Sequence, residues 1–306
     1  MKYALISDIH GNYPALSAVL ADAEKAHAHR FVFLGDYYIC MPYPNQVIDT
    51  IKNHPDSIII RGNNEEQLEK LSQSDQSSWI DGQFQALYWC YNEITPENRD
   101  FLFRLPARAV VDQQLHIAHR SSEFIGGVEM REFATHKLAE IFKDKTPDKA
   151  EIDSVISNKL NQSTEFQQRL SELPDGVYAF GHSHLQWHKR FGDKILINPG
   201  SCGFPIDYAP GAPYTLLEIN GQAIAVEERR VAYDEEKCAY DLIHSPFQSR
   251  AKIYNEIVLR EFKTRRAHFV PFLVFTEAYA NRINDPVRPY SKQTWENAYI
   301  AWLKTF

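Results

Sequence analysis

The chain has 306 residues, of which 44% are hydrophobic and 24% charged, and this ordinary globular composition argues against a disordered protein. Its formal net charge of −7 argues against a protein that binds extended nucleic acid. Four cysteines without CxxC spacing indicate reduced thiols and predict a cytoplasmic protein. No stretch reaches the ~20 apolar residues that span a bilayer, so we expect no membrane partner.

The first sixty residues predict strands that alternate with helices. Short apolar runs indicate buried strands at residues 2–7, 31–34 and 57–60. Helical spacing of apolar residues follows the first two runs, at 13–27 and 45–53. This alternation predicts βαβ units and a parallel sheet, whose ligands bind at the carboxyl ends of the strands. Asp8, Asp36 and Asn63 all lie just beyond such ends.

The rest of the chain predicts a second sheet and then a helical region. Helices are expected over 83–104 and 132–172, and a hairpin over 107–119. Further strand-like segments, from which we expect a second sheet packed on the first, lie at 177–180, 186–191, 194–198, 214–219 and 223–229. From about residue 233 the pattern is helical and aromatic. We therefore predict two domains, a catalytic domain over 1–232 and a helical C-terminal extension over 233–306.

Five short motifs place similar side chains after successive predicted strands. They are Asp8-x-His10, Gly35-Asp36, Gly62-Asn63-Asn64-Glu65, the single His119, and Gly181-His182-Ser183-His184. His116 is a rival of His119, but only His119 lies at the end of its strand. An aspartate after a strand is often just a turn residue or a helix cap. Five motifs in order, each after a predicted strand, favour a functional site instead.

In this order the motifs resemble those of the calcineurin-like metallophosphoesterases, whose pattern is DxH, GD, GNH(D/E), a lone His and GHxH. The resemblance spans residue 6 to about 205 and includes the stretch INPGSCGFP at 197–205. It implies an α/β fold in which two packed mixed β-sheets are flanked by helices in four layers, α-β-β-α. It also implies a phosphoesterase that depends on two metal ions.

The resemblance implies a role for each motif residue. Asp8, His10 and His184 would hold one metal ion, and Asn63, His119 and His182 the other. Asp36 would bridge the two ions, and the predicted catalytic residues are Asp36, Asn64 and His119. Two cations ~3.5–4 Å apart can neutralise phosphoryl charge and acidify a water molecule. Imidazole and carboxylate ligands suit manganese, which we expect first, as well as iron or zinc.

One position departs from the family pattern. Asn64 stands where the GNH(D/E) motif has a histidine. An amide can donate a hydrogen bond to phosphate but cannot supply a proton as an imidazolium can. The sequence therefore predicts inefficient cleavage of esters with poor leaving groups.

The motifs leave the substrate open. We expect a phosphodiester or phosphoanhydride bond in a nucleotidic small molecule such as a dinucleoside polyphosphate. The alternatives are a serine/threonine-type phosphoprotein phosphatase, a nuclease for short oligonucleotides, and a binding module on a degenerate phosphoesterase fold. All seven ligand positions are filled, which argues against the binding module.

The C-terminal region carries a different charge from the rest of the chain. Residues 250–306 hold 10 Lys+Arg and 5 Asp+Glu in an otherwise acidic protein. The basic cluster of Arg260, Lys263, Arg265 and Arg266 predicts contact with an anionic substrate. Candidate substrate-binding residues are Asn12, Tyr37, Asn64, Arg265 and Arg266. An apolar helical face must be buried on the catalytic domain or in a homo-oligomer, and consists of Trp295, Tyr299, Trp302, Leu303 and Phe306.

Overall fold

The computed structural model describes residues 1–126, 138–143 and 145–305. The strands in chain order are β1 (Lys2–Ile6), β2 (Arg30–Phe33), β3 (Ser57–Ile59), β4 (Arg108–Val111), β5 (Leu115–Ala118), β6 (Gly176–Ala179), β7 (Gln186–Phe191), β8 (Lys194–Pro199), β9 (Ala212–Asn220) and β10 (Ala223–Val231). The helices are α1 (Tyr13–Lys25), α2 (Pro44–Asn53), α3 (Asn63–Ser72), α4 (Gln85–Glu93), α5 (Pro96–Phe103), α6 (Leu138–Phe142), α7 (Lys149–Gln162), α8 (Thr164–Glu172), α9 (Glu235–His244), α10 (Pro246–Arg250), α11 (Lys252–Thr264), α12 (Phe269–Arg282) and α13 (Lys292–Leu303).

The strands form two mixed sheets of five. The first sheet has the order β10-β9-β1-β2-β3, in which β1, β2 and β3 are parallel and β9 runs antiparallel to β1. The second sheet has the order β4-β5-β6-β8-β7, in which β5, β6 and β8 are parallel. Each sheet therefore contains three neighbouring parallel strands, and the loops beyond their carboxyl ends can share one edge.

Successive side chains of a strand point to opposite faces of the sheet, and this alternation separates the layers of the fold. Tyr3 and Leu5 of β1 pack in a cluster between the two sheets, whereas Ala4 and Ile6 pack with the helices on the outer face. A third cluster joins the outer face of the second sheet to α7 and α8. Burial of each large apolar side chain contributes about 1.5–3 kcal/mol. The predicted four-layer fold, two mixed sheets flanked by helices, is confirmed.

Two sequence expectations differ from the structure. The segments at 214–219 and 223–229 do not join the second sheet, because β9 pairs with β1 and β10 pairs with β9 in the first. The helix expected over 83–104 is two helices, α4 and α5, since Pro96 begins a new helix capped by Thr95. The helical region expected over 132–172 is α6, α7 and α8 where it is described, and residues 132–137 lie outside the described residues.

Five helices follow β10, with a change from strand to helix between Val231 and Glu235. Leu242 and Phe247 pack in the same cluster as α1 and the first sheet. The helices α11, α12 and α13 form a further cluster around Phe272 and Trp302. The division into a catalytic domain and an extension stays a prediction.

The apolar face predicted near the C-terminus is only partly buried. Trp295 and Trp302 are buried against α12, but Leu303 is 46% exposed. Leu303 lies one residue beyond Trp302, so the helical rotation of about 100° per residue turns it away from the buried face. Phe306 lies outside the described residues.

Across the described parts of the chain, no helix combines the length and the apolar character that crossing a bilayer requires.

Candidate metal centre

The loops at one edge of the two sheets bring the predicted metal ligands together. Asp8 follows β1, Asp36 follows β2, and Asn63 begins α3 after β3. His119 follows β5, while His182 and His184 follow β6. Parallel strands deliver these loops to the same edge, so side chains up to 176 positions apart in sequence become neighbours.

Asp8, His10 and His184 form the first of two ligand clusters. Their ligating atoms all lie within 4.8 Å of one another, and all three side chains are buried. His10 Nε2 lies 3.0 Å from His184 Nε2, and Asp8 Oδ1 lies 3.4 Å from His184 Nε2. Three potential metal-ligating atoms thus lie around one point.

Asp36, His119 and His182 form the second cluster, again with ligating atoms within 4.8 Å of one another. Asn63 joins it, because its Oδ1 lies 3.0 Å from His119 Nε2. Asp36 faces both clusters: Oδ1 lies 3.5 Å from His119 Nε2, and Oδ2 lies 4.0 Å from His10 Nε2. The structure therefore brings all seven predicted ligands together, with Asp36 between the two sets.

The other ring nitrogens indicate which imidazole atoms can bind a cation. His119 Nδ1 lies 2.7 Å from Leu34 O, and His184 Nδ1 lies 2.8 Å from Phe204 O. A carbonyl oxygen only accepts hydrogen bonds, so each Nδ1 must donate its proton. The Nε2 atoms are then the ring nitrogens that face the centre and can bind a metal ion, as in metal-binding histidines.

The electrostatics fit a cation. Burial opposes ionisation of Asp8 and Asp36, but the neighbouring His184 and His119 hold the pKa of these carboxyls well below the usual range. Burial also opposes a charge on His119, yet Asp36 raises the pKa of His119 to about 9. Among the described residues, Asp8 Oδ1 has no hydrogen-bond partner. The centre therefore holds buried negative charge and an unsatisfied acceptor that a metal ion would complete.

The backbone of these loops is strained in a consistent way. Five of the seven candidate ligands have a positive φ between 51° and 70°, namely Asp8, His10, Asp36, His182 and His184. Such conformations cost of order 1–3 kcal/mol each and cluster at functional sites. Glycine permits the close packing here, since a Cβ on Gly181 would lie 1.9 Å from Ser7 Oγ and one on Gly62 2.2 Å from Asp36 Oδ1.

Glu65, which was not among the candidate site residues, connects two of the loops that carry the candidate ligands. Its buried carboxylate accepts hydrogen bonds from the backbone N–H groups of Asp36 (2.9 Å), Tyr37 (3.0 Å) and Gly62 (2.7 Å). It thereby joins the loop after β2 to the loop after β3. Burial and the nearby Asp36 raise the pKa of Glu65 to about 7. The sequence feature that could have indicated this role is the position of Glu65 in the motif Gly62-Asn63-Asn64-Glu65.

The stretch at 197–205 makes hydrogen bonds to two of the loops that carry candidate metal ligands. Ser201 Oγ donates to Asp8 O at 2.6 Å, and Asn198 Nδ2 donates to Gly181 O at 2.9 Å. Both side chains are fully buried. These bonds link the end of β8 to the ligand loop after β6, and the loop after β8 to the ligand loop after β1.

Two candidate substrate residues lie in the interior instead. The Tyr37 hydroxyl donates to a backbone carbonyl, Ile60 O, at 2.5 Å, and the side chain is fully buried. Asn12 is also fully buried, caps α1 through Ala15 N at 3.2 Å, and donates to Gly203 O at 2.7 Å. Both side chains point inward because their hydrogen-bond partners are in the core, which corrects the expectation of substrate contact.

Arg265 and Arg266 of the basic cluster make contacts with other parts of the protein. Arg265 pairs with Glu235, and Arg266 donates to the backbone oxygens of Lys143 and Lys145 at 3.2 Å. Arg266 also lies over the ring of Tyr208. Neither arginine lines the cleft that opens from the metal centre, and substrate contact by these two residues stays a prediction.

A cleft of about 230 Å³ opens from the metal centre. His10, Asn63 and Asn64 form its inner end. Its other lining residues come from α3, α4 and its preceding turn, the loop after β2, and the C-terminal helices: Ile39, Cys40, Gln67, Gln83, Phe84, Ala86, Leu87, Tyr254, Phe269, Val270 and Leu273. None of the described lining residues is Lys, Arg, Asp or Glu. The cleft therefore joins a charged centre to a neutral, largely apolar chamber.

His116 lies on β5 and His119 directly follows that strand, and the two side chains have different surroundings. His116 stacks on Tyr178, with ring centroids 4.8 Å apart, on the outer side of the second sheet. His119 reaches the centre, where it contacts Asp36 and Asn63.

A two-sheet sandwich with paired clusters of imidazole and carboxylate ligands at one edge has the architecture of a dinuclear metal hydrolase. The chain belongs to the calcineurin-like phosphoesterase superfamily, whose domain model matches residues 1–222. It is thus a metal-dependent phosphoric ester hydrolase, as the order of the motifs predicted.

The chain is also similar to individual proteins in sequence and in fold. The chain is 28% identical over 246 residues to an uncharacterized protein of Methanocaldococcus jannaschii, covering 78% of this chain and 90% of that protein. In fold it is similar to a metallophosphoesterase from Sphaerobacter thermophilus, with a TM-score of 0.60, 19% identity, and coverage of 87% and 100%. A hypothetical protein from Pyrococcus horikoshii OT3 gives a TM-score of 0.59 at 18% identity, with coverage of 84% and 97%.

Proposed function

We propose that the chain hydrolyses a phosphodiester bond in a small nucleotidic molecule. One metal ion would be held by Asp8, His10 and His184 and the other by Asn63, His119 and His182, with Asp36 shared between them. The bound ions would neutralise charge on the phosphoryl oxygens and lower the pKa of a water molecule. Their ligands suit manganese, iron or zinc, and we expect manganese to support activity.

We expect Asn64 to orient the phosphate. Its backbone N–H donates to Asp36 Oδ1 at 2.9 Å, and its side chain lies at the inner end of the cleft beside His10. The amide can donate a hydrogen bond to a phosphoryl oxygen but has no proton to release to a leaving group. An ester whose leaving group needs little protonation therefore suits this site.

The cleft is the observation that carries the choice of substrate. Phe84, Tyr254 and Phe269 offer aromatic surface, while Gln67 and Gln83 offer amide groups that both donate and accept hydrogen bonds. A nucleobase has the same two properties, a flat apolar face and a polar edge. Since none of the described lining residues is cationic, the cleft favours a single phosphate at the metals over a long polyphosphate chain.

A substrate panel with the Mn²⁺-loaded protein tests the proposal. The panel contains a nucleoside phosphodiester, a dinucleoside tetraphosphate, a phosphoserine peptide and a short oligonucleotide. We expect the nucleoside phosphodiester to have the highest kcat/KM. If the phosphopeptide is preferred, the chain is a phosphoprotein phosphatase. If the oligonucleotide is preferred with strongly salt-dependent KM, it is a nuclease.

We also propose that the protein forms a homo-oligomer through its C-terminal helices. Val274, Ile300 and Leu303 of the C-terminal helices are 58%, 56% and 46% exposed. These apolar side chains support the prediction of a homo-oligomer through α12 and α13. The mass of the protein in solution, measured by light scattering, tests it.

A further inference from the structure

The outer wall of the cleft comes from a part of the chain that the family model does not cover. That model ends at residue 222, whereas Tyr254 lies on α11 and Phe269, Val270 and Leu273 lie on α12. We call these four residues the C-terminal wall. Selection among phosphodiesters requires contacts with the part of the substrate beyond the phosphate. In this protein those contacts are available on the C-terminal wall.

The wall is anchored next to the metal centre. Cys40 Sγ and the Tyr254 hydroxyl lie 3.5 Å apart, which ties α11 to the loop that follows Asp36. The rings of Tyr254 and Phe269 meet edge to face with centroids 5.0 Å apart. This arrangement is favourable for aromatic pairs and fixes the orientation of the Phe269 ring. The wall is thus a preformed surface.

A buried carboxylate determines where α12 begins. Glu261 of α11 is 3% exposed, and its Oε1 accepts hydrogen bonds from His268 N at 2.7 Å and Phe269 N at 2.9 Å. The N-cap residue His268 makes no side-chain capping bond. Glu261 therefore serves as the cap of α12, because its carboxyl oxygen accepts hydrogen bonds from two backbone N–H groups that the start of the helix leaves without a partner. Through this cap Glu261 positions Phe269.

The opposite side of the cleft also depends on the C-terminal helices. Gln83 Oε1 accepts from Tyr290 N at 3.4 Å, just before α13. Gly82 has φ +78°, and a Cβ there would lie 2.5 Å from Tyr290 O. The segment that carries Gln83 and Phe84 is therefore packed directly on the chain leading into α13. Both sides of the outer cleft are organised by residues beyond 222.

We propose that Phe269 and Leu273 determine specificity for the organic group of the phosphodiester, and that Glu261 is the positioning residue that holds them. The proposal rests on the proposed function, since it concerns the same cleft. The organic group packs on Phe269 and Leu273, and the phosphate lies at the inner end near Asn64. Stacking of a base on an aromatic side chain is strong enough to change affinity by about tenfold or more.

Two diesters with the same leaving group test the proposal. Thymidine 5′-(4-nitrophenyl phosphate) carries a nucleoside, and methyl 4-nitrophenyl phosphate carries only a methyl group. We expect Phe269→Ala and Leu273→Ala to raise KM for the thymidine ester about tenfold, while kcat/KM for the methyl ester changes less than about twofold. Glu261→Gln should shift KM in the same direction without changing the number of metal ions per chain.

The control is Ile243→Ala, which changes an exposed apolar residue of α9 outside the cleft lining. Calorimetric binding of thymidine 5′-monophosphate to the metal-loaded protein supplies a readout that does not depend on turnover. Weaker binding in Phe269→Ala but not in Ile243→Ala supports the proposal. Equal losses on both esters, or unchanged KM and Kd, overturn it. If the wild type binds the monophosphate but hydrolyses neither ester, the proposed function fails and the binding comparison still decides this inference.

Discussion

Asp36 is the residue on which the two ligand clusters depend. Its two carboxylate oxygens face His119 and His10, and its Oδ1 also accepts from Asn64 N at 2.9 Å. Two nearby cations repel each other unless an anion lies between them. The side chain therefore matters both for metal binding and for the position of Asn64.

We expect Asp36→Asn to bind fewer than two metal ions per chain and to lose at least about 100-fold in kcat/KM. Mutation of a residue that only hydrogen-bonds to a metal ligand already lowers metal affinity or activity by about 10–100-fold. The amide keeps the size of the carboxylate but removes its charge. Metal content by mass spectrometry and steady-state kinetics measure the effect. Asp100→Asn, an exposed aspartate beside Arg104, is the control. Two ions per chain and full activity in Asp36→Asn would contradict this role.

Asn64 gives a prediction about leaving groups. Aryl phosphodiesters should be cleaved faster than alkyl phosphomonoesters, because the amide cannot protonate a departing alkoxide. We expect Asn64→His to raise kcat/KM for the alkyl esters by about 10–100-fold and to change the aryl esters far less. The slope of log kcat/KM against leaving-group pKa is the measurement. An alkyl monoester as the best wild-type substrate would show that this account of Asn64 is wrong.

At the scale of elements, one carboxylate couples two βα loops. Glu65 lies in the first turn of α3, yet its hydrogen bonds reach the loop after β2 as well as its own N-cap, Gly62. The positive φ of Asp36 is held partly by the bond from its own N–H to Glu65. Precise ligand geometry in this loop is thus a consequence of a contact between elements.

We expect Glu65→Gln to lower the free energy of unfolding by about 2–3 kcal/mol, because a glutamine turns an N–H donor toward backbone N–H groups. Metal affinity should fall with it, since the loop that carries Asp36 is released. Urea unfolding and calorimetric Mn²⁺ titration measure the two effects. Glu66→Gln on the same helix weakens only a partly exposed pair with Arg120 and should cost less than about 1 kcal/mol. Equal effects of the two variants would argue against the coupling.

At the scale of the whole molecule, the metal centre lies where the two sheets meet. Its ligands come from loops of both sheets, with Asp8, Asp36 and Asn63 from the first and His119, His182 and His184 from the second. Bound ions would cross-link these two halves of the sandwich. A metal ion that binds the folded state but not the unfolded state stabilises the folded state by mass action.

Removal of metal should therefore lower Tm by roughly 5–10 °C when the ions were present at about 100 times their Kd. Thermal unfolding with and without a chelator measures the shift, and added Mn²⁺ should restore it. Asp36→Asn should respond much less to the chelator. An unchanged Tm in chelated wild type, with the ions shown to be absent, would mean that the centre does not stabilise the sandwich.

The class of fold, the family and the seven side chains that the structure brings together could all be predicted from the amino-acid sequence. These follow from local signals. Apolar runs define β1, β2 and β3, and each polar motif comes directly after a strand, so the edge of the sheet could be predicted without long-range contacts. The roles of the seven residues as metal ligands stay a prediction.

The tertiary structure alone decided which neighbours of the motifs face inward and what lines the cleft. Tyr37 follows Asp36 directly, but a bond to Ile60 O turns it into the core. Arg265 is cationic and lies near the cleft-lining helix in sequence, but it pairs with Glu235 and does not line the cleft. The cleft joins Asn64 to Leu273, more than 200 residues apart. Such contacts depend on the packing of whole elements, which local periodicity does not encode.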